Sequence, residues 1–259
     1  MKTFKNKIAF NLDRDAQVSV TGFIAPIEYT QRNYHVDWDE LANLKAAEPE
    51  KQYPASIFQA FLPQEPVSVG ECWQIEEEAA LTLLRQLSPC PQLDLEIGGA
   101  DTYGLWACLR AYNDAFAEIL FRIHAEFVLE KGWFAPSQFA GHVIIDRLEK
   151  KVVSFKMYVP DATLNFDVRW RIFGDERRAA DIGFCPQMEL SAGTQDVLQD
   201  TKFTEAITQA EALHTLMLCF YKSARINWVP LEKALELAPV LQKPIHAISS
   251  GGPLADESC

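Results

Sequence analysis

The chain has 259 residues, 48% of them hydrophobic, and sets 36 acidic side chains against 24 Lys and Arg for a net charge of -12. That length holds one large domain or two ordinary ones, with ample apolar material for a core. An acidic surface without a basic stripe repels phosphate backbones and excludes nucleic acid as a partner, and no uncharged run approaches the roughly 18 apolar residues of a membrane span.

The first residues, "MKTFKNKIAFNLDRDAQ", include lysines but no apolar h-region, so they do not read as a secretory signal. The expectation is a soluble, cytoplasmic protein. "VDWDELANLKAAEPEKQYP" reads as one short helix starting near Asp37 and stopped by Pro49 and Pro54. After the Pro-bearing "FLPQEPVSVGECW" comes "QIEEEAALTLLRQLS", an amphipathic helix whose first turn is acidic, as the helix dipole favours. "SPCPQLDLEIGGAD" is a loop. From Leu105 to Glu118 apolar residues recur at helical spacing, and 120–129 then alternate with a period of two. "FAGHVIID", "KVVSFKMYVP", "LNFDVRWRIF" and "DIGFCPQMEL" read as strands separated by turn residues. Successive strands without intervening helices predict an antiparallel sheet. "TEAITQAEALHTLMLCFYKSA" is a helix, "PLEKALELAPVLQ" is another opening on Pro230, and Ile245–Ile248 reads as a short buried strand. The exposed edge of that strand offers a route to a homodimer by strand addition.

Six cysteines, Cys72, Cys90, Cys108, Cys185, Cys219 and Cys259, form no CxxC pair and match no zinc template. Without a secretory signal, structural disulfides are not expected, and most of the first five read as small apolar core residues. Two groupings could carry chemistry. His124 and Glu126 share one face of a predicted strand, and His142 could lie on its neighbour; two imidazoles and a carboxylate suit a non-haem iron or zinc enzyme. The more common role of a strand histidine is a plain hydrogen bond, so no bound metal and no cofactor is the expectation. The other grouping is the segment "KPIHAISSGGPLADESC", which runs helix, Lys-Pro, apolar strand, loop, cysteine, the order in which a thioredoxin-type fold introduces its redox thiol. Against this, Asp256, Glu257 and a terminal carboxylate each disfavour a thiolate at Cys259. A third reading is a non-enzymatic protein-binding module.

"FRIHAEF" (Phe121–Phe127), "WFAPSQFAGHVI" (Trp133–Ile144), "LNFDVRW" (Leu164–Trp170) and "DIGFCPQMEL" (Asp181–Leu190) resemble, in order, blocks of the selenoprotein N family; "FLP" (Phe61–Pro63) and "VGECW" (Val69–Trp73) fit its upstream part. The final segment resembles the one that leads to the family's Ser-Cys-selenocysteine-Gly motif. The resemblance runs from about residue 58 to Cys259 and implies that the next codon is UGA, read as selenocysteine in the family. No D-x-D-x-D-G calcium loop occurs, so the calcium binding of animal members is not carried over, and Ser249-Ser250 stand where those members have apolar and aromatic residues. The likeness is to the shorter, bacterial-type version.

The resemblance implies an α+β fold: a region of uncertain fold over 1–57, a central, largely antiparallel sheet domain with flanking helices over 58–200, and over 201–259 the helices and first strand of a truncated thioredoxin-like domain. It also implies a thiol/selenol-disulfide oxidoreductase with Cys259 as its catalytic thiol, inactive without its selenocysteine. Its partners would be a protein thiol or disulfide and an electron donor.

Overall fold

The computed structural model describes residues 6–13, 15–93, 104–161, 164–171, 178–194, 196–199, 201–220, 226 and 228–247. In chain order these form β1 (Gln17–Ile24), β2 (Tyr29–Thr30), the single-turn helices α1 (Tyr34–Asp37) and α2 (Asp39–Ala42), β3 (Glu50–Pro54), α3 (Ser56–Gln59), β4 (Cys72–Gln74), α4 (Glu77–Leu84) and β5 (Pro91–Gln92). A run of strands follows: β6 (Leu105–Tyr112), β7 (Phe116–Ile123), β8 (Glu126–Leu129), β9 (Gly132–Pro136), β10 (Phe139–Asp146), β11 (Lys151–Tyr158), β12 (Phe166–Arg171), β13 (Arg178–Phe184) and β14 (Met188–Gly193). The short β15 (Glu205–Ala206) precedes α5 (Gln209–Phe220) and α6 (Leu231–Leu241).

Two sheets result. The larger runs β15-β6-β7-β10-β11-β14-β1-β3, with β4 also paired to β6; the smaller runs β2-β13-β12-β9-β8-β5. Among the described residues every strand pair is antiparallel, as the unbroken succession of strands predicts. β1 and β3 belong to the larger sheet, so residues 17–54 are woven into the same body as the central blocks. No helix among the described residues is long and apolar enough to cross a membrane.

One hydrophobic cluster joins both sheets to α3 and α4. At its centre Phe61 meets Phe121 with ring centroids 4.9 Å apart, Phe58 meets Phe155 at 5.1 Å, and Phe121 stacks on Phe155 at 5.8 Å. Phe127, Phe134, Phe139 and Phe166 continue the cluster into the smaller sheet. Truncating any one of these fully buried rings to Ala costs about 3–5 kcal/mol.

Four expectations require correction. The helical spacing over Leu105–Glu118 belongs to β6 and β7, joined by a turn in which Asn113 Oδ1 accepts the N–H groups of Ala115 and Phe116. β6 lacks a polar face because α5 covers its outer side at Cys108 while Ala107 and Leu109 enter the main core; a strand buried on both faces reads as an almost continuous apolar run. The strand expected through 120–129 breaks at His124-Ala125, where the chain leaves the larger sheet at Ile123 and joins the smaller at Glu126. The helix near Asp37 is two single turns with Trp38 between them, and the end of the same stretch forms strand β3. Finally, residues 243–247 form no strand and Ile245 is 40% exposed, so the buried strand expected there is not observed over its described part.

Candidate functional site

Cys259, the expected catalytic thiol, lies outside the described residues, as do Ser249, Ser250, Asp256 and Glu257. The described approach to it is α6, which starts after Pro230 and ends at Gln242, whose φ of 51° supplies the left-handed turn of a helix C-cap. None of the α6 residues is buried, and Leu231, Leu235 and Leu241 stand exposed. Trp228, Leu237 and Ile245 line an open groove between this helix and the segments that flank it.

The structure does not assemble His124, Glu126 and His142. His124 sits in the break between β7 and β8, its backbone N–H donated to the Gly104 carbonyl. Glu126 lies on the smaller sheet opposite Gln92. His142 lies on β10 of the larger sheet, with Nε2 3.2 Å from the Ser154 hydroxyl. Among the described residues no three His, Cys, Asp or Glu side chains gather as metal ligands. Both imidazoles are held neutral. Burial, and then the Arg122 guanidinium, push His124 down to about 4; burial, and then the Lys156 ammonium, do the same to His142. Ser154 is fully buried, so the His142–Ser154 contact is a closed hydrogen bond and offers no nucleophile to a substrate.

The blocks that carry the family resemblance hold the fold together. Asp181, at 3% exposure, accepts the backbone N–H of Arg32 at 2.9 and 3.1 Å and that of Tyr34 at 3.2 Å, pinning the turn before α1 onto the smaller sheet. Cys185 donates its N–H to Asn165 Oδ1 and receives the Asn165 amide on its carbonyl, both at 2.8 Å. Burial pushes the Cys185 thiol up to about 11, which leaves it unreactive at neutral pH. Asp167, beside Arg169 at 3.9 Å, is raised to about 6 because burial outweighs that cation.

The remaining cysteines only partly follow the core expectation. Cys108 is buried, Cys72 and Cys219 are half-buried and Cys90 is exposed. The convergence of three of them escaped sequence reasoning, because they come from β4, β6 and α5 and no local spacing relates them.

Selenoprotein N of Mus musculus is 27% identical to the chain over 271 aligned positions, which cover 83% of the chain and 48% of that protein. The Homo sapiens protein is 28% identical over 271 positions (83% and 45%), and that of Danio rerio is 30% identical over 263 (79% and 47%). The chain thus spans about half the length of the curated relatives it matches. No family model and no solved structure matches it. The aligned stretch takes in about four-fifths of the chain, and the quoted blocks fall on strands β7 to β10 and β12 to β14 of both sheets; on that extent of similarity, the chain belongs to the selenoprotein N family.

Proposed function

We propose that this protein is a thiol/selenol-disulfide oxidoreductase of the selenoprotein N type, with Cys259 as the thiol neighbour of a selenocysteine. The observation that carries the reading is family membership, joined to the match between "KPIHAISSGGPLADESC" and the segment preceding the family's Ser-Cys-selenocysteine-Gly motif. In this reading a selenolate attacks a partner disulfide, and Cys259 then attacks the mixed selenide-sulfide, releasing the reduced partner and leaving a Cys259–selenocysteine bond for an electron donor to reduce. A selenol ionises below neutral pH, so it remains a nucleophile beside Asp256 and Glu257, where a thiol is suppressed. The order α6, Lys243-Pro244, apolar segment, Gly-Pro loop and cysteine supports a thioredoxin-like framework for the pair. α6 exposes Leu231, Leu235 and Leu241, the type of face such a helix lays on a sheet.

The gene provides the first test: the codon after Cys259 is expected to be UGA followed by one for Gly, and UAA or UAG refutes the reading. The selenocysteine-containing gene product should reduce a protein disulfide at the expense of a thiol donor. Full activity after Cys259→Ser removes Cys259 from the chemistry.

A further inference from the structure

Cys72 and Cys108 face each other directly across the β4–β6 ladder. Ile75 donates its N–H to the Leu105 carbonyl and Leu109 donates to that of Glu71. In an antiparallel ladder hydrogen-bonded and non-hydrogen-bonded pairs alternate, so 75/105, 73/107 and 71/109 are bonded pairs and 72/108 is a non-bonded one. Such pairs bring Cα atoms to about 4.5 Å, inside the roughly 4.4–6.8 Å that a disulfide spans. The two thiols therefore need no backbone movement to join.

A third sulfur closes on them from the helix. Ala212 and Leu216 of α5 are buried against Cys108 and Leu120, with Cys72 packed at the margin of this small cluster. Cys219 lies one turn beyond Leu216 on the same stripe of α5. Cys72 is within hydrogen-bonding reach of both other thiols; its contact with Cys108 holds its pKa well above the ordinary thiol value, Cys219 acts in the opposite sense, and burial adds to the rise.

We propose that Cys72, Cys108 and Cys219 form a second thiol-disulfide exchange site, which takes small disulfides as oxidants and rests in its oxidised form as a Cys72–Cys108 bond. The thiolate of half-buried Cys219 attacks a disulfide R–S–S–R and expels R–S⁻, which takes up a proton. Cys72 then attacks the Cys219 sulfur of the mixed disulfide and expels the second R–S⁻. Cys108 finally attacks Cys72, returning Cys219 to the thiol. Two protein thiols lose two electrons and two protons, and R–S–S–R becomes two R–SH. Cys72 is the hinge of the relay because it reaches both neighbours, and the bond ties the three-residue edge strand β4 to the sheet.

This site is independent of Cys259, and its test is run in a Cys259→Ser background so that the two proposals fail separately. Cys90 is also changed to Ser, since it shares the tryptic peptide 86–110 with Cys108. The folded chain is incubated with hydroxyethyl disulfide, quenched in acid, alkylated under denaturing conditions, digested, and analysed by mass spectrometry. Peptide 52–85 joined to 86–110 is the expected product, reversed by dithiothreitol. Cys219→Ser should reach the same product at least several-fold more slowly. Full alkylation of Cys72 and Cys108 after oxidation of folded protein overturns the site. An unchanged rate in Cys219→Ser overturns the relay. Because the first measurement keeps all three thiols, loss of folding in a variant cannot mask the outcome.

Discussion

His142 offers a quantitative test of how the outer face of the larger sheet is built. Its imidazole is half-buried on β10, meets the Ser154 hydroxyl at 3.2 Å, and is depressed from 6.5 to about 4 by burial and then by Lys156. A histidine whose folded value lies below its unfolded one is protonated first in the unfolded chain. Its stabilising contribution is therefore complete above pH 6.5, falls as pH drops through 6.5, and is gone near 4. With those two values, the proton taken up at pH 5 by the unfolded chain alone removes about 2 kcal/mol relative to neutral pH, reduced to about 1 kcal/mol by solvent screening of a half-buried ring. His142→Gln keeps a hydrogen-bonding group opposite Ser154 but does not titrate. Urea unfolding of both proteins at pH 7.5 and 5.0 isolates the effect, because all other titrating groups, His124 included, cancel in the difference. The variant should gain about 1–2 kcal/mol on the parent between pH 7.5 and pH 5. Parallel losses in the two proteins would refute the reasoning.

Asp167 carries the opposite sign. Burial raises it to about 6, so the ionised carboxylate weighs against the fold at neutral pH, and Asp167→Asn should raise stability by about 1–2 kcal/mol at pH 7.5, with the gain vanishing below pH 4; a lower melting temperature at pH 7.5 contradicts this. Asp181→Ala leaves the Arg32 and Tyr34 N–H groups without their carboxylate, which should cost about 2–4 kcal/mol and speed amide exchange at those two positions. A methyl at Gly141 would collide with Phe121 Cζ and with the Lys156 carbonyl oxygen, so Gly141→Ala should destabilise by at least about 1–3 kcal/mol, and an unchanged denaturation midpoint would show that the ring and the neighbouring β11 backbone yield freely. In α6, where no residue is buried, amides should exchange far faster than those of β7 and β10, and comparable protection would mean that the helix docks elsewhere in solution.

Much of the chain was readable because local pattern and solvent contrast coincide. The acids of Glu77 and Glu78 followed by an apolar stripe announce α4, Pro230 announces the start of α6, and apolar runs of strand length bounded by turn residues announce β10 and β11. The blocks that identify the selenoprotein N family were legible too. Their physical content was not: no local pattern shows that Asp181 holds backbone amides from residues 32 and 34, or that Cys185, expected as an apolar core residue, is locked against Asn165. The metal reading failed for a related reason. It assumed a single strand through His124 and Glu126, and nothing in the alternation marks the point at which the chain changes sheets.

By itself, then, the sequence determined the family, through blocks of matching residues, and the antiparallel strand succession and the positions of α4, α5 and α6, through spacing along the chain. Tertiary structure decided which faces are dry and which distant residues meet. Leu105–Tyr112 lost its strand signature only because α5 covers the outer face of β6, and that covering is what sets Cys219 beside Cys72 and Cys108. Periodicity records the contrast between water and core on either side of an element; where both sides are dry the contrast disappears, and the partners across it are fixed by pairing and packing that no local window contains.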